Sequence, residues 1–161
     1  ENAKAAQVAF HDAKDPNMEA QAWVVVANIH RRGEVSNGFF RDGYTQTFDA
    51  LERAKSLFED SGDVAGMARV RHTLGVALTH KNESDEGLER LQEAYQDFVN
   101  VGNKLYQAIT QLTMAQLHLK RGRRESVQVA LQMSEEVLEI FTGFGSSCGT
   151  RIIEARGAVA R

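Results

Sequence analysis

One spacing recurs along this chain and restricts the folds open to it. Phe58 is followed by Gly62-Asp63, then Ala68, then Leu74-Gly75. Phe98 is followed at the same steps by Gly102-Asn103, Ala108 and Met114-Ala115. Upstream, Phe10, Lys14-Asp15-Pro16, Ala20 and Val26-Ala27 keep the offsets, with the small residue always seventeen positions after the Phe. Phe58 and Phe98 lie forty residues apart. A period of that order, with room for two helices per unit, predicts an all-α solenoid of antiparallel helix pairs. Such scaffolds bind other polypeptides and rarely do chemistry.

Composition agrees with that class. The 161 residues suffice for a real core, and a single Pro leaves long helices uninterrupted. A net charge of −3 provides no global field to recruit nucleic acid or anionic lipid. The longest apolar run, Ala22 to Ile29, is broken by Asn28 and is far shorter than the roughly 18–20 residues of a membrane span. One cysteine, Cys148, can form neither an internal disulfide nor a zinc site by itself, which favours a reducing compartment, cytoplasm or organelle interior. The first residue is Glu1, which fits a fragment of a longer array as well as a processed chain.

Eight helices are expected, at about 3–13, 17–32, 45–61, 64–81, 85–101, 104–121, 124–142 and 150–161. Asp15-Pro16 offers an N-cap followed by Pro at the first helical position. Gly33 is expected to end the second helix in a left-handed cap. Residues 34–43 interrupt the period and carry Phe39 and Phe40. Apolar stripes at three- and four-residue steps mark the faces that pack. They are Phe48, Leu51, Ala54, Leu57 and Phe58; Met67, Val70, Leu74, Ala77 and Leu78; Leu88, Leu91, Ala94, Tyr95 and Phe98. They continue with Leu105, Ala108, Leu112, Ala115 and Leu119, then Val127, Leu131, Val137, Leu138 and Phe141. Ala27, Gly75 and Ala115 are the points where paired helices can approach closely. Gly75 in particular needs a packing reason, because Gly inside a helix costs about 1 kcal/mol relative to Ala.

These residues resemble the tetratricopeptide repeat, in a variant of about forty residues. Trp23, Val26, Ala27 and His30 match its first helix in one unit. Leu74, Gly75 and Leu78, with Gly87, Leu91 and Ala94, match both helices in the next. Met114, Ala115 and His118, with Val127, Leu131 and Ser134, match in the third. The resemblance implies one domain forming a right-handed superhelix, with units at about 17–61, 64–101 and 104–142. It also implies a concave partner-binding face lined by the first helix of each unit. Here that face comprises Gln21, Val24, Asn28, Arg31 and Arg32; Arg69, His72, Val76, Thr79 and His80; and Ile109, Leu112, Gln116, Leu119 and Lys120. Its mixture of basic and aliphatic groups suits an extended peptide carrying acidic and aliphatic residues. Val24 stands where a lysine of the family's carboxylate clamp would be.

Signs of catalysis are thin. Gly145-Ser146-Ser147-Cys148-Gly149 has the form of a nucleophile elbow, but a helix rather than a strand precedes it, and the last histidine, His118, comes before the serine. His11, His30, His72, His80 and His118 include no i, i+4 pair of the kind a helical zinc site needs. The basic turn Lys120-Arg121-Gly122-Arg123-Arg124 suits the negative end of a helix dipole. The sequence therefore reads as a non-catalytic adaptor with a protein or peptide partner and no cofactor or metal. The alternative is a structural subunit of a large assembly, such as an organellar photosynthetic or respiratory membrane complex, anchored through Phe39 and Phe40.

Overall fold

The computed structural model describes residues 14–37, 43–121 and 124–143, together with Val8, His11 and Asp12. Six helices lie within these described stretches: α1 (Pro16–Asn37), α2 (Gly43–Ser61), α3 (Val64–His80), α4 (Ser84–Asn100), α5 (Lys104–Arg121) and α6 (Arg124–Gly143). Among the described residues there is no strand. The expected helices at 3–13 and 150–161 lie outside them, apart from Val8, His11 and Asp12, which are helical. Two compact units result, Glu1–Arg90 and Leu91–Arg161.

The breaks between helices repeat one local structure. Gly62 has φ +68° and Gly102 φ +70°, the left-handed region open to Gly without a side-chain penalty. Asp63 N–H donates to Phe58 O (3.0 Å) and Asn103 N–H to Phe98 O (2.9 Å). Gly62 N–H donates to Glu59 O (3.2 Å) and Gly102 N–H to Val99 O (3.0 Å), completing a Schellman closure at each site. The next residue then caps the following helix. Asp63 Oδ1 accepts from Gly66 N–H (2.9 Å), and Asn103 Oδ1 from Tyr106 N–H (3.2 Å). Lys14-Asp15 repeats the arrangement with a non-glycine. Lys14 has φ +56°, and Asp15 Oδ1 accepts from Met18 N–H (3.0 Å). Asn82 (φ +72°) makes the same closure between α3 and α4, with Glu83 N–H donating to Leu78 O at 2.9 Å.

Gly33 does not end its helix. α1 continues to Asn37, so part of the expected irregular segment is helical. Glycine permits a left-handed turn without requiring one, and a mid-helix glycine costs only about 1 kcal/mol.

In the first unit, α1 packs along α2, and α3 lies against both. Ala20, Val24, Val26 and Ala27 meet Ala50, Leu51, Ala54, Phe58 and Val70, with Trp23, Leu57, Met67 and Leu74 closing the edges. Phe58 is fully buried. A Cβ on Gly66 would lie 2.3–2.6 Å from its ring carbons, so the ring occupies space that only glycine leaves. Gly87 makes the other close approach. A Cβ there would meet the Gly75 carbonyl oxygen at 2.8 Å and Thr79 Cγ2 at 2.6 Å. Gly75, singled out for its cost within a helix, is thus where α4 comes against α3.

In the second unit, Phe98 and Phe141 are fully buried. Tyr106 occupies the position equivalent to Gly66, and its ring stacks on Phe98 at a centroid distance of 5.1 Å. Ala108 and Leu112 of α5 pack with Val137 and Phe141 of α6, flanked by Leu105, Ile109, Leu138 and Ile140. The expected stripe on α6 needs one correction. Val127 and Leu131 are exposed, and the buried line is Ala130, Ser134, Val137 and Phe141. Ser134 satisfies its hydroxyl locally by donating to Ala130 O at 2.7 Å.

Candidate partner-binding surface

The structure brings together part of the expected surface in the first unit. Near the C-terminal ends of α1 and α3, Arg31 Nη1 lies 3.4 Å from His80 Nε2. A guanidinium can only donate, so Nε2 is the acceptor of this contact. Arg31 Nη2 donates to Asn28 Oδ1 (3.2 Å), and Asn28 Nδ2 donates to Val24 O one turn back (3.1 Å). Asn28 therefore orients the arginine that joins the two helices. Gln21 and Arg69, His72, Val76 and Thr79 are half-buried, whereas Arg32 and His80 are exposed.

Two expected surface residues are core residues instead. Val24 is 3% exposed and Leu112 1% exposed, each inside the cluster of its own unit. Both are aliphatic groups on a helix whose packed face is wide, and burial is their more favourable placement. In the second unit, Gln116 and Lys120 of α5 are exposed, and Ile109 and Leu119 are half-buried. Phe39, Phe40, Ser147 and Cys148 fall outside the described residues.

An open cleft of about 330 Å³ in the first unit is a feature the sequence did not disclose. It is lined by His11, Glu19, Trp23, Arg53, Ser56 and Leu57. Arg53 lies over the Trp23 ring, 4.6 Å from its centroid, and His11 Nδ1 is 3.0 Å from Glu19 Oε2. The steps from Glu19 to Trp23 and from Arg53 to Ser56 and Leu57 place each set on one helix face. Nothing in either helix alone says that these two faces meet.

His118 on α5 is a boundary group with an enclosed Nδ1 that makes no hydrogen bond. Burial, and then the positive charge of Arg121, hold its pKa below the ordinary 6.5. The unfolded chain therefore takes up the proton more readily than the folded one. The contribution to stability is complete above about pH 6.5 and is lost as pH falls below it. Urea unfolding between about pH 5 and 7 should show stability rising with pH, and His118→Leu should flatten that slope. Equal slopes in the two proteins would contradict this account.

Among the described residues, no group of three or more His, Cys, Asp or Glu is placed to hold a metal ion. No described helix is long and apolar enough to cross a membrane. Comparison with protein-family models, curated proteins and solved structures gave no match to the chain.

Proposed function

We propose that the chain is a helical-repeat scaffold that binds a partner polypeptide and does no chemistry. One observation carries this reading: the repeated Phe58/Ala68/Gly75 and Phe98/Ala108/Ala115 sets are both buried, and the two breaks share one closure and one cap. Equivalent packing at equivalent offsets supports a repeat architecture of the tetratricopeptide kind, whose use is recognition. In the first unit the face offered to a partner combines Gln21, Asn28 and Arg31 of α1 with Arg69, His72, Val76, Thr79 and His80 of α3. Its donors suit carboxylates on an extended peptide.

The test compares the native chain with Arg31→Glu/Arg69→Glu as baits in its source extract, read by quantitative mass spectrometry. Partners should be depleted at least about tenfold on the variant, the effect expected for reversing two interface cations. Thermal unfolding should show the variant folded. An unchanged partner set on a folded variant would reject this surface.

A further inference from the structure

We propose that the open cleft between α1 and α2 takes an acidic side chain, with an apolar neighbour beside it, from a partner polypeptide. The apolar part of the cleft is Trp23 and Leu57, both half-buried and packed against the core of the first unit. Its polar groups are unevenly committed. Glu19 is shielded, with its side chain 13% exposed and its carboxylate 3.0 Å from His11 Nδ1. Arg53 is exposed and has no carboxylate within ion-pair distance among the described residues, although Asp49 stands one turn before it on α2. Lys55 on the same helix, by contrast, lies 3.4 Å from Glu52 and 3.9 Å from Glu59. Arg53 lies instead over the Trp23 ring, 4.6 Å from its centroid. That contact holds the guanidinium at the cleft and leaves its N–H donors uncommitted to any described residue. Ser56, the next turn along, also makes no hydrogen bond with a described residue. Ser61, at the end of the same helix, donates to Phe58 O at 3.2 Å.

The chemistry of these groups selects the ligand. A guanidinium fork with a hydroxyl one turn away matches a carboxylate. An indole beside a leucine favours an apolar group next to that carboxylate. A cationic ligand would meet the charge of Arg53. At about 330 Å³ the cleft stands at the small end of the range for ligand sites, about 300–1,000 Å³. It is also open, whereas a site for a free small molecule encloses most of its ligand. A side chain presented by a longer chain needs no such enclosure, because its flanking residues continue outside. The occupant is therefore part of a polypeptide. Gln21 and Asn28 lie on the other side of α1 from Trp23 at 3.6 residues per turn. The cleft is thus separate from the face shared by α1 and α3, and the inference stands without it.

Short random peptides displayed on phage and selected on the native chain should become enriched in Asp or Glu next to an aliphatic residue. The enrichment should vanish on Arg53→Gln, which should keep the native circular dichroism and melting temperature because the position is exposed. An enriched peptide should change the fluorescence of Trp23, the one tryptophan in the chain, in a saturable way. Amidating the peptide's acidic residue should weaken binding about tenfold or more, and so should Arg53→Gln. The two changes together should cost no more than either alone, the mark of a direct pair. Ser56→Ala should cost several-fold. The same peptide should bind Arg31→Glu/Arg69→Glu undiminished. N-acetylleucine, a carboxylate beside an aliphatic group without a chain, should bind at least about tenfold more weakly than the peptide. Absence of acidic peptides from the selection would overturn the inference, as would additive losses in the double change. Peptides lost on Arg31→Glu/Arg69→Glu and kept on Arg53→Gln would place recognition on the other face and overturn it too. Equal binding of N-acetylleucine would make the cleft a small-molecule site and reject the polypeptide as its occupant.

Discussion

Phe58→Ala should lower the unfolding free energy of the first unit by about 3–5 kcal/mol, the range for emptying a buried aromatic site. The size follows from what surrounds the ring. Phe58 is fully buried among residues of α1, α2 and α3, and the ring lies against a glycine backbone that has no side chain with which to fill the gap. Collapse into the cavity would require the helix carrying Gly66 to move as a whole. Small domains are stable by only about 5–15 kcal/mol, so a loss of this size is a large share of the total. Urea titration with separate fluorescence and circular-dichroism readouts should register it. Trp23, the one tryptophan in the chain, borders the same cluster and reports on this unit. A loss below about 1 kcal/mol would mean that Phe58 does not hold the unit together.

The second large effect is expected at Gly87, where the usual sign reverses. Replacing a helical glycine with alanine ordinarily stabilises by about 1 kcal/mol. Here the added Cβ meets the Gly75 carbonyl oxygen at 2.8 Å and Thr79 Cγ2 at 2.6 Å. The threonine methyl can rotate away, but the carbonyl is fixed within α3, so α4 must withdraw. Gly87→Ala should therefore destabilise by about 1–3 kcal/mol, the usual cost of overpacking. Thr79→Ser combined with Gly87→Ala should recover only a small part of that loss. Full recovery would show that the side chain, and not the helix–helix distance, sets the limit. The same substitution at Gly62 is a useful contrast. Space there is open, and the penalty comes from the left-handed φ alone.

Much of the fold was legible because its signals are local. Gly62-Asp63 and Gly102-Asn103 each fix a turn within six residues, and the six helices that form lie close to the expected bounds except at Gly33. Phe58, Phe98 and Phe141 were readable as core from spacing alone. Failures came where a residue's surroundings depend on another helix. Leu131 and Leu91 look alike in sequence, yet one is 39% exposed and the other fully buried. Val24 and Leu112 were expected on a surface and are held in cores. The cleft at Trp23 and Arg53 depends on which faces of α1 and α2 meet, and no single-helix pattern encodes that. The Arg31–His80 contact was legible only as two residues on one expected face, with no sign that they touch.

The turn-and-cap module also bears on how the chain reaches its native state. Gly62, Asn82 and Gly102 stand twenty residues apart, each held by bonds spanning no more than five positions. Nearly every hairpin therefore joins segments adjacent along the chain, and its contact order is low. Chains dominated by such local contacts acquire structure within microseconds to milliseconds. Loss of one closure, at Gly102 for example, would leave nucleation at Gly62 and Asn82 available, and would slow rather than abolish the search.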